Sequence, residues 1–109
     1  MRTRINIKTI SVNEAWMGRR YKTKKYKVYE VILLNLLPKR YKVPKGKLEV
    51  YYKFGLSNKN ADCDNNIKQF QDCLQKKYEF NDCMIYKLMA EKEDVKKGNE
   101  FVEFEIKKI

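Results

Sequence analysis

The sequence predicts a small α+β domain, a mixed sheet with helices packed on it, its elements in the order β-α-β-α-β-β. Three observations carry this. Apolar and polar side chains alternate in four separate segments, and two further stretches repeat apolar residues at three- and four-residue steps. The whole length, residues 1–109, suits one domain without internal repeat or linker. A chain this short buries only about two-thirds of the surface its unfolded form exposes, so the core is modest and a second copy is a natural supplement.

Each element has its own signal. Residues 2–8 place Ile5 and Ile7 on one side and Arg4, Asn6 and Lys8 on the other, a half-buried strand. A polar loop over 11–23 holds Asn13, Trp16, Gly18, Arg19 and Arg20. From Thr23 the period becomes helical through Tyr26, Tyr29, Ile32 or Leu33, and Leu36, and Pro38 stops it. A second basic loop, Lys39 to Lys47, is broken by Pro44 and Gly46. Leu48, Val50, Tyr52, Phe54 and Leu56 form the clearest strand, and the run Ser57 to Asn60 ends it. A helix is expected over 64–77 with Ile67, Phe70 and Leu74 on its buried stripe. Strands follow over 83–92, with Met84, Tyr86, Leu88 and Ala90 on one face, and over 102–107, joined by a turn at Lys97-Gly98-Asn99.

Charge is placed unevenly. The chain has 25 Lys plus Arg against 14 Asp plus Glu, a net +11. Residues 1–47 hold 14 basic and 2 acidic side chains, whereas residues 48–109 hold 11 and 12. One part is a polycation and the other is mixed, which points to a polyanion, nucleic acid above all, because phosphate contacts gain from counterion release. A merely soluble basic surface is the plainer alternative. There is no histidine, so His-based triads, haem ligation by His and His-containing zinc sites are excluded. Cys63, Cys73 and Cys83 are an odd set without a short paired spacing, which argues for a reducing compartment rather than a disulfide framework. No signal peptide or bilayer-spanning run is visible, so a cytoplasmic protein without a membrane partner is expected.

The informative segment is Asp62-Cys63-Asp64-Asn65-Asn66-Ile67-Lys68. Two carboxylates two residues apart in extended chain point the same way, and such a pair is tolerated best around a cation. Magnesium suits them, being held by one or two carboxylates while keeping waters and phosphate oxygens. Lys68 lies one helical turn beyond Asp64, and Asp82 follows at the turn into the next strand. Plain readings stand beside these. Asp64 suits a helix N-cap, Asp64, Lys68, Asp72 and Lys76 make an i, i+4 charge ladder, and Asp82 suits a turn.

The run from Asp62 to Leu74, followed by Phe80-Asn81-Asp82, resembles the RusA-type Holliday junction resolvases, small endodeoxyribonucleases of phages, prophages and bacteria. Asp62, Asp64, Asn65 and Lys68 fall on the first part of their motif, Asp72-Cys73-Leu74 on the second and Asp82 on the last. Ser11-Val12-Asn13 with Trp16 is similar to the family's opening motif. The chain departs from it in having Thr9-Ile10 where prolines are frequent, Asn81 where an acidic partner of Asp82 is frequent, and Cys63 at an aliphatic position, read as a small buried hydrophobe.

The resemblance implies a homodimer that binds four-way DNA junctions and makes paired, symmetric incisions in recombination and repair. It implies that Asp62, Asp64 and Asp82 hold magnesium, with manganese able to substitute, and that Lys68 acts on the phosphate while Asn65 supports. It places DNA contacts on the basic half: Asn13, Arg19, Arg20, Lys22, Lys24, Lys25 and Lys27, with Lys39, Arg40, Lys42, Lys45 and Lys47 as a second cluster and Tyr or Trp16 available to stack on a base. Two alternatives remain open: a non-catalytic nucleic-acid-binding module, and a nuclease of broader flap or fork specificity.

Overall fold

The computed structural model describes residues 2–18 and 21–109. In chain order the elements are β1 (Thr3–Ile5), α1 (Val12–Ala15), β2 (Trp16–Met17), β3 (Tyr21–Lys22), α2 (Lys24–Leu36), β4 (Leu48–Leu56), a 3₁₀ turn (Cys63–Asn66), α3 (Ile67–Tyr78), a second 3₁₀ turn (Asp82–Met84), β5 (Ile85–Asp94) and β6 (Phe101–Lys108). The main sheet runs β1-β6-β4-β5. It is mixed: β4 pairs parallel with β5 and antiparallel with β6, and β6 pairs antiparallel with β1. A parallel neighbour requires a crossover, and α3 supplies it between β4 and β5. The result is a single α+β domain.

The polar loop expected over 11–23 carries structure. Ser11 and Glu14 form a reciprocal capping box that starts α1, a Ser-x-x-Glu signature that satisfies two otherwise orphaned N–H groups. Trp16–Met17 and Tyr21–Lys22 then pair as a short hairpin. Thr23 caps α2 by accepting from the Tyr26 N–H, and α2 ends just before Pro38. The turn between β5 and β6 closes with the Asn99 N–H on the Lys96 carbonyl, Gly98 taking the positive φ of +97°.

Aromatic packing on the helix side of β4 builds the core. Phe70 of α3 meets Tyr52, Phe54 and Phe104 at centroid distances of 5.4, 6.1 and 5.7 Å. The opposite sheet face is closed differently. Gly55 of β4 pairs with Phe101 of β6, whose ring lies across the space a Cβ would need, 2.2 Å from it. The Arg4 guanidinium stacks 3.8 Å from the Phe101 centroid and pairs with Glu103, and Arg2 stacks 4.3 Å from Tyr51. Two arginines of the basic half are therefore structural.

Two apolar surfaces stay uncovered. On α2, Tyr26, Tyr29 and Leu33 face inward while Val28, Val31, Ile32 and Leu36 face out. On β5 the expected apolar face is altered, and Met84 lies in the preceding turn. A register shift at Tyr86 brings Ile85 into line with Leu88 and Ala90 beside Leu48, Val50 and Tyr52, and Tyr86 (62 % exposed) and Leu88 (41 %) stay uncovered. No helix among the described residues is long and apolar enough to cross a membrane.

Candidate functional site

The acidic segment is held in place by a buried polar network. The Thr9 hydroxyl donates to the Asn66 side-chain oxygen at 2.9 Å, and the Asn66 amide reaches the Asp62 carbonyl at 3.4 Å. The fully buried Gln69 amide donates to the carbonyls of Ile10 (2.7 Å) and Asn65 (2.8 Å). These bonds tie the segment after β1 to the start of α3. Between them opens a polar cleft of about 450 Å³ whose walls include Lys8, Asn13, Asn60, Asp62 and Asn65. Asn66→Ala leaves the buried Thr9 hydroxyl without its acceptor, at a cost of about 1–3 kcal/mol. Thermal unfolding followed by circular dichroism is expected to shift down by roughly 4–8 °C for each of those kilocalories.

Two side chains of the expected site, Asn13 and Asp62, share this cleft with the supporting Asn65, whose amide lies 3.5 Å from an Asp62 carboxylate oxygen. Asp64 is exposed on the same 3₁₀ turn. It does not cap α3: the turn intervenes and Asn66 takes the cap position, without a side-chain cap bond. Asp62 heads the 3₁₀ turn and likewise makes no side-chain cap bond. Among the described residues neither carboxylate enters an ion pair. In a chain of net charge +11 that is an unusual freedom.

The other two expected members have partners of their own. The Asp82 N–H donates to the Gln75 side chain at 2.8 Å. Gln75 stands eight residues into α3, about 12 Å along the helix axis from its first residue, so Asp82 is held toward the far end of the helix. The Lys68 ammonium sits 4.9 Å from the Trp16 ring centroid. Among the described residues no three His, Cys, Asp or Glu side chains form a group able to hold a metal ion. Within one chain, then, Asp62 and Asp64 share a turn, Lys68 follows one helical turn beyond Asp64 with its ammonium over Trp16, and Asp82 is held toward the far end of α3. Cys63 packs against the core, and burial, with Asp64 beside it, pushes its thiol pKa up, as suits a hydrophobe and not a nucleophile.

Asp82 has a different carboxylate near it. Gln75 joins the two, donating to an Asp72 oxygen at 3.4 Å while accepting from the Asp82 N–H. Burial raises the Asp72 pKa above its ordinary value, Asp82 adds to the rise, and Lys68 opposes it. A raised folded-state pKa means that ionised Asp72 lowers stability above that pKa, and that protonation relieves the loss as pH falls through it. Asp72→Asn is therefore expected to keep or raise the melting temperature at pH 7. A melting series from pH 7 to 3 should show the difference shrinking; a clear loss at pH 7 contradicts the assignment.

Of the expected DNA contacts, Arg19 and Arg20 lie outside the described residues. Lys22 is engaged with Glu30 at 2.8 Å, and Lys25 with Glu14. Burial alone raises the Glu30 pKa, but hydrogen bonds from Lys22 and Lys76 outweigh it and hold that carboxyl below its ordinary value. Lys24 and Lys27 are exposed beside Val28, Val31 and Ile32. Lys39, Arg40, Lys42, Lys45 and Lys47 are exposed too, with Lys47 over the Tyr86 ring at 4.9 Å. Among the aromatics, Tyr26 and Tyr29 are core, Trp16 packs edge-on against Tyr26, and Tyr21 is 72 % exposed. Thr9, Asn66 and Gln69 were not anticipated, although Asn66 and Gln69 fall on the same three- and four-residue period as Cys73. That polar interruption of an apolar stripe was their signal.

No family model matches this chain, and no curated protein matches it.

Proposed function

We propose that this chain is a magnesium-dependent endodeoxyribonuclease that resolves four-way DNA junctions as a homodimer. One observation carries the reading: two exposed carboxylates two residues apart share one turn, Asp62 lining a polar cleft, and among the described residues neither has a capping or ion-pair partner in a protein of net charge +11. The joint spacing of Asp62, Asp64, Asn65, Lys68 and Asp82 supports it. The plain reading, in which the acidic residues cap a helix, loses support because neither side chain does so.

The donor set fits magnesium in part. Asp62 and Asp64 satisfy its habit of one or two carboxylates with the remaining positions left to water and phosphate oxygen. Asp82 is held toward the far end of α3, so as a third ligand it would come from the partner subunit. When bound, the ion supplies an activated water and charge to offset the leaving oxygen, and manganese fits the same oxygens. The chain does the rest. Asn65 orients the Asp62 carboxylate, Gln69 and the Thr9–Asn66 pair hold the turn rigid, and Asn13 and Lys8 line the cleft where a phosphodiester enters. The lysines of α2 and of the 39–47 loop hold the backbones that leave the crossover.

The test is cleavage of a synthetic four-way junction, beside a flap and a linear duplex, with magnesium and with a chelator. Paired, symmetric nicks that require the divalent ion are expected on the junction. Salt-sensitive binding without any cleavage would instead identify a non-catalytic binding module, and equal cutting of the flap would identify a broader nuclease.

A further inference from the structure

We infer that β5 is a dimerisation strand, which pairs antiparallel with β5 of a second copy across a two-fold axis at Met89. The two edges of the sheet differ. At one edge β1 is three residues long and guarded by Arg2 and Arg4. At the other, β5 runs ten residues, about 33 Å, and pairs with β4 alone. Such an edge presents a row of unpaired N–H and C=O groups, normally blunted by shortness, proline, a bulge or an inward lysine. β5 contains neither Pro nor Gly; its one register shift against β4 falls near its start, at Tyr86, and from Lys87 to Asp94 its register with Glu49–Leu56 is unbroken. Lys92 is no free guard, since its ammonium bonds the carbonyls of Lys59 (3.0 Å) and Ala61 (2.8 Å).

Both faces of β5 lack cover. The register places Leu88, Ala90 and Lys92 on the helix face beside Val50, Tyr52 and Phe54, and Met89, Glu91 and Glu93 on the other. Tyr86, Leu88 and Met89 (46 % exposed) form an apolar stretch toward its start, with Glu91, Glu93 and Asp94 at its end. That polarity suits a second copy laid head to tail. A two-fold axis must pass through an opposed pair of identical residues. At Met89 it sets Leu88 opposite Ala90 and Lys87 opposite Glu91, with the apolar residues central and opposite charges outside. At Ala90 it would set Leu88 against Lys92 and Met89 against Glu91, and at Leu88 it would leave both acids without a lysine.

The pairing stands on β5 alone, and only its consequence for Asp82 rests on the nuclease reading. The Lys92 bonds hold the 59–61 segment, which leads into Asp62, beside the end of β5. In this register the start of the partner strand, which follows the partner subunit's Asp82, comes to that same end.

Sedimentation of the wild-type chain is expected to show a dimer. In a Cys63→Ser, Cys83→Ser background, Met89→Cys should form an interchain disulfide on mild oxidation. Lys87→Cys alone should not, whereas Lys87→Cys mixed with Glu91→Cys should. Leu88→Lys, at a half-exposed position, should melt like the parent yet sediment as a monomer. A wild-type monomer, or a dimer without the Met89→Cys cross-link, overturns the proposal. A cross-linked dimer that cuts no junction keeps the pairing and removes the nuclease, and a monomer that cuts does the reverse.

Discussion

Asp62→Asn and Asp64→Asn are each expected to keep junction binding and to lose incision by about 10³-fold or more. The substitution keeps the shape and removes one negative charge. Charge stabilisation at a metal-assisted phosphodiester cleavage contributes several kcal/mol, and about 4 kcal/mol corresponds to roughly 10³ in rate. Both side chains are exposed, so folding should not change. Binding should even strengthen slightly at low salt, because an anion leaves a surface that meets phosphate. Single-turnover cleavage and junction binding measured side by side separate the two effects. A mutant that cuts at the parent rate removes that carboxylate from the site, and one that loses binding in proportion assigns it a structural role. Extra magnesium should partly restore cleavage if affinity for the ion is what falls.

Local patterns in the sequence go far toward the fold. Strand β4 is readable because its helix face is apolar throughout while Glu49 and Lys53 stand half-buried on the other, so the side-chain period of two survives in the composition. The Pro38 stop and the Gly98 turn are readable because each rests on backbone geometry that few residues satisfy, and the start of the helix at Thr23 shows in the change of period. The Ser11–Glu14 box was equally visible, but the polar run around it reads as loop. What eluded the sequence is set by distant neighbours. Phe101 is buried only because Gly55, forty-six positions earlier, leaves room for its ring and Arg4 covers it. Tyr86 and Leu88 alternate like core residues, yet both stay exposed, Tyr86 at a register shift of the strand. The candidate site divides in the same way. The Asp62–Asn65 turn is local and came from spacing, whereas the position of Asp82 depends on how far α3 runs before the chain returns. Over its twelve residues the helix carries Asp82 away from the turn, and no spacing rule reports a length in space.

Phe70→Ala is expected to be the most destabilising single change in the chain, and to act on stability rather than chemistry. The ring is fully buried and touches three other aromatic rings, from β4 and β6. Truncating a buried Phe costs about 3–5 kcal/mol through lost transfer energy and the cavity left behind. A domain of this size has only about 5–15 kcal/mol in total, so the melting temperature should fall by roughly 15 °C or more. Phe70 adjoins Gln69, whose amide anchors the Asn65 and Ile10 carbonyls, so loosening α3 also loosens the cleft. Incision by the variant should therefore approach the parent's at low temperature and collapse on warming in step with the circular dichroism signal. Phe70→Leu, which refills most of the cavity, should recover a large part of the loss. The Asp62 substitution should show the opposite profile, an unchanged melt and no incision at any temperature. If Phe70→Ala melts like the parent, the aromatic cluster is not the core that positions α3, and the placement of the acidic turn needs another support.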